Sequence, residues 1–183
     1  MGLSYYFPEL DEITRRYMLN EFETEEASGQ AYRSLLLTLQ GQRAYPDVMR
    51  YVIEAGDEES LALLLSRPAY WLPEEPMKDG SRRKVNVGQA SKRLARLEFN
   101  TWYVRGLSLR LLDEGHKTGE VYEAAGRSWP LPNDCARHYG VVSLRDVRDG
   151  HRATYWPTRP YKVSIPSGPL CVHSIRKRTH LGL

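Results

Sequence analysis

The stretch RLEFNTWYVRGLSLRLLDEG, Arg96 to Gly115, decides the fold. Leu97, Thr101, Val104, Ser108 and Leu111 recur at alternating four and three residues, a pattern that Ala90 and Leu94 extend upstream. That spacing predicts one helix over residues 88–114, the longest in the chain, with a sustained apolar seam. Gly106 and Ser108 would let another element approach closely. Glu98, Asn100, Trp102 and Arg105 place hydrogen-bonding chemistry among these apolar residues. Glu98, Trp102 and Arg105 share one face, at i, i+4 and i+7. Three readings are open. Glu98 and Arg105 form a structural ion pair beside the Trp102 ring, which is the expected one. Alternatively Trp102, Tyr103 and Arg105, residue types that anchor interfaces, make a docking surface. The third is a catalytic Glu98, which needs a second acid or a base converging on it.

Working outward, residues 11–28 predict a helix, with Asp11 as its cap, Glu12 at its positive start and Gly29 as its stop. Its apolar stripe is Ile13, Tyr17, Met18 and Phe22. Residues 34–39, SLLLTL, read as a strand or a buried turn, ended by Gly41. A second helix is expected over 44–55 with Pro46 in its first turn, where a missing N–H costs nothing. Asp57 then caps a short helix that buries Leu61, Leu64 and Leu65. Residues 67–87 read as a long loop, since three prolines and KDG interrupt any helix. After Gly115, GEVYEAAG suggests a short strand, and NDCARHYG and SLRDVRDG a turn or two of helix each. From Thr154 onward four prolines and no helical period read as an extended arm. The expected architecture is mainly α, with a helical body over 1–126, a few short strands, and a basic Pro/aromatic-rich region over 127–183 whose arm starts near 154.

Charge is unevenly spread. Residues 1–75 hold 6 basic and 14 acidic side chains, a net of −8, whereas residues 127–183 hold 10 and 3, a net of +7. Such asymmetry suits steering onto a polyanion or association of copies through opposite ends. Two basic clusters stand out: Arg82, Arg83 and Lys84 in the long loop, and Arg176, Lys177 and Arg178 near the C-terminus. Arg159 and Lys162 lie beside Tyr155, Trp156 and Tyr161, a mixture that suits phosphate contact with base stacking. Without a run of eighteen apolar residues, no transmembrane helix is expected. The first ten residues lack the basic and apolar parts of a secretory signal. A cytoplasmic protein, or one in a particle assembled there, follows as the expectation.

Cys135 with His138 has a spacing familiar from zinc sites on a turn, and Cys171 with His173 could join it in a two-Cys, two-His site only if their segment is extended, so that alternate side chains share a face. A buried thiol and surface imidazoles are the plainer reading, and no metal is expected. No phosphate-binding glycine loop or nucleophile elbow is present, so no cofactor and no small-molecule substrate are expected.

Asp11, Glu12, Arg15 and Met18, then Tyr32 and Ser34, then Glu98, Phe99, Asn100, Tyr103, Arg105, Gly106 and Leu107 make three short motifs. In these the chain resembles a family of short bacterial and prophage proteins of uncharacterised activity. The likeness covers about the first two-thirds of the chain, and the C-terminal arm departs from the family's shorter Pro/Gly-rich ending. The resemblance implies a phage-associated protein. Together these readings favour a non-enzymatic assembly or binding protein, a structural component of a phage particle in its head or connector region. It would contact copies of itself or other structural proteins through the arm. The arm is expected to order only against a neighbour, so that deleting 154–183 leaves the body intact. The alternatives are a DNA-binding accessory protein using the basic loop and tail and, behind it, a metal-dependent hydrolase or nuclease.

Overall fold

A computed structural model describes residues 5–77, 79–125, 140–153, 165–168 and 170–178. The architecture is mainly α with a small strand part, as the periodicity implies. Helix α1 spans Glu12–Ser28. The Asp11 carboxylate accepts from the Thr14 N–H at 2.9 Å, and Gly29 ends the helix at φ 68°, a left-handed conformation that glycine adopts freely. Its buried face is Thr14, Met18, Glu21, Phe22 and Glu25, so two carboxylates lie on the inner side while Ile13 is half exposed.

Helix α2 runs Leu39–Ala55, five residues longer at its start than the sequence suggests. Thr38 is the cap, accepting from the Gly41 N–H at 3.1 Å, and Pro46 lies inside the helix rather than in its first turn. Gly41 does not break the chain there. A Cβ at Gly41 would sit 2.4 Å from the Tyr70 carbonyl oxygen, so this glycine lets the first turn pack on backbone. The Thr38 hydroxyl and N–H also donate to the carbonyls of Ala69 and Tyr70. These contacts come from a segment about thirty residues away and override the local helix-start signal. At the other end, Arg15 of α1 donates to the carbonyls of Val52, Ile53 and Gly56, satisfying groups that a helix end leaves open. Asp57 caps the short α3, Glu58–Leu64.

The segment read as one long loop is more ordered than that. A 3-10 turn at Pro68–Tyr70 delivers Trp71 into the core, where its indole N–H donates to the Leu65 carbonyl at 2.6 Å. Strands β1 (Glu74–Pro76) and β2 (Arg82–Lys84) then form an antiparallel hairpin with Glu74 opposite Lys84 and Glu75 opposite Arg83. Opposite charges facing across the pair favour this register.

Helix α4, Val87–Asp113, is the axis of the molecule. From Leu97 to Ser108 it is buried on every side, because α1, α3, α5 and the C-terminal strand all pack on it. Gly106 is where α1 crosses closest: a Cβ there would lie 2.6 Å from the Met18 nitrogen. Strand β3 (Thr118–Glu123) is the middle of a three-stranded antiparallel sheet, flanked by β4 (Gly140–Ser143) and β5 (His173–Lys177). Helix α5, Leu144–Ala153, follows β4 directly.

Strand β5 corrects the expectation of an arm reaching from residue 154 to the C-terminus. His173, Ser174 and Ile175 are buried, and Asn100 of α4 donates to the His173 carbonyl at 2.8 Å. This strand belongs to the domain's own core, so deletion of 154–183 would remove part of the fold. Residues 154–164, with Tyr155, Trp156, Arg159, Tyr161 and Lys162, lie outside the described residues. Ahead of α1, residues 5–10 form a strap over the sheet. The Tyr6 N–H donates to the Ala124 carbonyl, the Tyr5 hydroxyl donates to the Cys171 carbonyl, and the Phe7 ring packs at a tilt against Phe99 and Tyr103.

Candidate binding groove

The polar residues of the opening stretch are enclosed. Trp102, Tyr103 and Arg105 are buried, so they do not form the docking surface that was one reading of them. The ion pairs of Arg105 run to Glu21 at 3.0 Å and Glu25 at 2.7 Å on α1, not to Glu98 as expected. Glu98 instead accepts from the Tyr45 hydroxyl at 2.8 Å. The reason is geometric. Two helical turns separate Glu98 from Arg105, about 10 Å along the axis, whereas α1 lies directly alongside. The guanidinium also sits 4.8 Å from the Trp102 ring centre, whose π face attracts it, and Trp102 packs edge-on against Phe22. Tyr103 donates to Glu9, and burial pushes its phenol far above the ordinary tyrosine range.

Two of the C-terminal basic residues are likewise engaged. Arg176 pairs with Glu120 at 3.0 Å and holds that carboxyl below its ordinary range, while Lys177 reaches Glu114 at 3.4 Å. Arg178 is exposed. Cys171 and His173 are buried with Sγ 3.8 Å from Nδ1. Cys135 and His138 lie outside the described residues, among which no three metal-ligating side chains converge. Among the described residues, too, no helix is long and apolar enough to cross a membrane.

The features that face outward together form a groove of about 570 Å³. Its floor is one face of α4, through Asn86, Gln89, Ala90, Arg93, Leu94 and Leu97, at helical spacing. One wall is the hairpin, with Arg83, Lys84 and Val85; the other is the connection from α1 to α2, with Tyr32, Ser34, Leu35 and Leu36. Trp71 lies between them at the base. The second wall owes its shape to Ser34, whose hydroxyl accepts from the Leu36 N–H and whose carbonyl accepts from the Leu37 N–H. That turn sends Leu37 inward onto Trp71 and Leu35 outward, where it is 87% exposed. Leu39 nearby is 62% exposed. Single exposed leucines are ordinary, but Leu35 lines a concave surface.

The charges at the rim divide into paired and unpaired. Arg83 bonds Glu75, and Arg82 lies 3.7 Å from Glu74. Lys84 and Arg93 have no ion pair among the described residues, nor do Lys92 and Arg96 one turn around α4. Lys92 and Arg96 face a second cavity of about 340 Å³ shared with Glu58 and Glu59. Of the expected binding residues, the structure therefore brings Arg83 and Lys84 to a concave surface and sets Arg82 beside them. Leu35, Leu36 and Arg93 were not anticipated. The signal for Arg93 was present, since Lys92, Arg93 and Arg96 interrupt the apolar seam of α4 on its outer side. Leu35 gave none, because three consecutive leucines do not say which one a turn will expel.

Comparison with protein-family models finds no match, and comparison with curated proteins and with solved structures likewise finds none. The likeness to the prophage group therefore rests on the quoted motif residues alone.

Proposed function

We propose that the protein is a non-enzymatic assembly or binding protein that holds a neighbouring protein chain in the groove between the hairpin and α4. The observation carrying this reading is the juxtaposition of exposed Leu35 with Lys84 and Arg93 across one concavity. Exposed apolar side chains beside cations raise the cost of leaving such a surface bare and reward a partner that covers both. The enclosure of Glu98, as an acceptor for Tyr45 inside the core, favours a structural role for the carboxylate over a catalytic one. The contact with neighbours moves from the arm, where the sequence placed it, to the groove. The narrower setting, a phage particle, rests on the motif resemblance and belongs to the proposal.

The test is photo-crosslinking in the producing cell from a reactive residue placed at position 35. A discrete adduct to one or a few partner chains is expected, with none from position 145, an exposed site on α5. Equal, diffuse labelling from both positions would overturn the reading. DNA binding remains the second reading, favoured by the cluster Lys84, Lys92, Arg93 and Arg96. Retention on immobilised DNA that declines steeply with salt, and is lost in Lys92→Glu/Arg96→Glu, would favour it.

A further inference from the structure

Resting on the groove as a protein-binding surface, we infer that its occupant is an acidic segment with apolar side chains. The groove is polarised along α4. Its inner part, between Leu36, Trp71, Leu94 and Leu97, is apolar, and its outer rim carries Arg83, Lys84 and Arg93 against the single carboxylate of Glu75. Glu75 is already bonded to Arg83 and Lys84 stands across the hairpin from Glu74, while Arg93 has no ion pair among the described residues. The start of α4 opens on the same rim. The N–H groups of its first turn add positive potential there, and the Asn86 side chain accepts from the one at Gln89. A segment lying here places aliphatic side chains against the inner leucines and carboxylates beside Lys84 and Arg93. The exposed second wall decides between an acidic peptide and a nucleic acid strand. Leu35 and Leu36 offer aliphatic area to side chains, whereas single-stranded nucleic acid uses exposed aromatic platforms. The aromatic residues here, Trp71 and Tyr32, are buried and half-buried respectively.

The experiment measures fluorescence anisotropy with the full chain and three labelled probes: a short peptide of leucine and glutamate, the same peptide with glutamine for glutamate, and a single-stranded oligonucleotide. The acidic peptide should bind, weaken as salt rises, and outbind the glutamine peptide by about tenfold. Lys84→Glu/Arg93→Glu should abolish that preference, Leu35→Ser should weaken both peptides, and Arg145→Glu should change neither. Each variant is checked by its circular dichroism spectrum, and these exposed positions should leave it unaltered. Equal binding of the two peptides would overturn the charge selection while leaving the groove's role standing. Absence of peptide binding, or displacement of the acidic peptide by the oligonucleotide, would overturn the inference outright. Failure of crosslinking from position 35 would instead remove the groove itself from the account.

Discussion

At the scale of single residues, Arg105 organises the interior. It is 1% exposed, and its guanidinium pairs with both Glu21 and Glu25. Two carboxylates in an apolar interior are tolerable only with compensation, because burial without it costs several kcal/mol per ion. Arg105→Met keeps roughly the volume and removes the charge, so it should cost about 3–5 kcal/mol in urea unfolding. Glu98→Gln should cost far less, about 1 kcal/mol, because an amide oxygen still accepts from the Tyr45 hydroxyl. The reverse order of the two would mean that Glu98, not α1, balances Arg105. The presence of a charged network at this helix was legible in the sequence. Its partners were not. Spacing along one helix orders the residues of that helix only, and Glu21 and Glu25 read equally well as part of a solvated acidic face.

Among elements, legibility followed the range of the interactions. Helices α1 and α4 carry their signals locally, in the Asp11 cap, the Gly29 stop and a long periodic seam, and both were placed within a residue or two. Helix α2 and strand β5 depend on distant backbone, Tyr70 for one and β3 for the other. Five residues of strand beyond four prolines carry too little period to be told from an extended arm. The structure makes β5 testable. A chain ending at Val172 loses buried His173, Ser174 and Ile175 and strips β3 of one of its two partners. It should unfold at markedly lower temperature with reduced cooperativity, read by thermal circular dichroism. Unchanged melting would return β5 to the status of a detachable arm. The groove was half legible: its basic hairpin stood out as a charge run, while its apolar wall depended on a turn set by Ser34.

Over the whole molecule, the charge asymmetry of the sequence resolves into pairs that cross between elements. Glu23 is bonded by Arg50 of α2, Glu114 by Lys177 of β5 as well as by Arg110 of α4, and Glu120 by Arg176 of β5. In each case the arginine's hydrogen bond holds the carboxyl below its ordinary value of 4.5. A folded-state pKa below the unfolded one gives stability that is present above the unfolded value and is lost as pH falls through the folded one. The melting temperature should therefore hold from neutral pH down to the ordinary carboxylate range and decline progressively below it, more gently in high salt. A rise on acidification would contradict the pairing. The strap adds a consequence in time. Tyr5 bonds Cys171 across 166 positions of sequence, and Glu9 accepts from the Lys177 N–H across 168. During synthesis α1 and α4 can meet as soon as both have left the ribosome. The contacts of Tyr5 with Cys171 and of Glu9 with Lys177 must wait until β5 has emerged, whereas Phe7 can settle on Phe99 and Tyr103 as soon as α4 is available, so the strap closes in two steps.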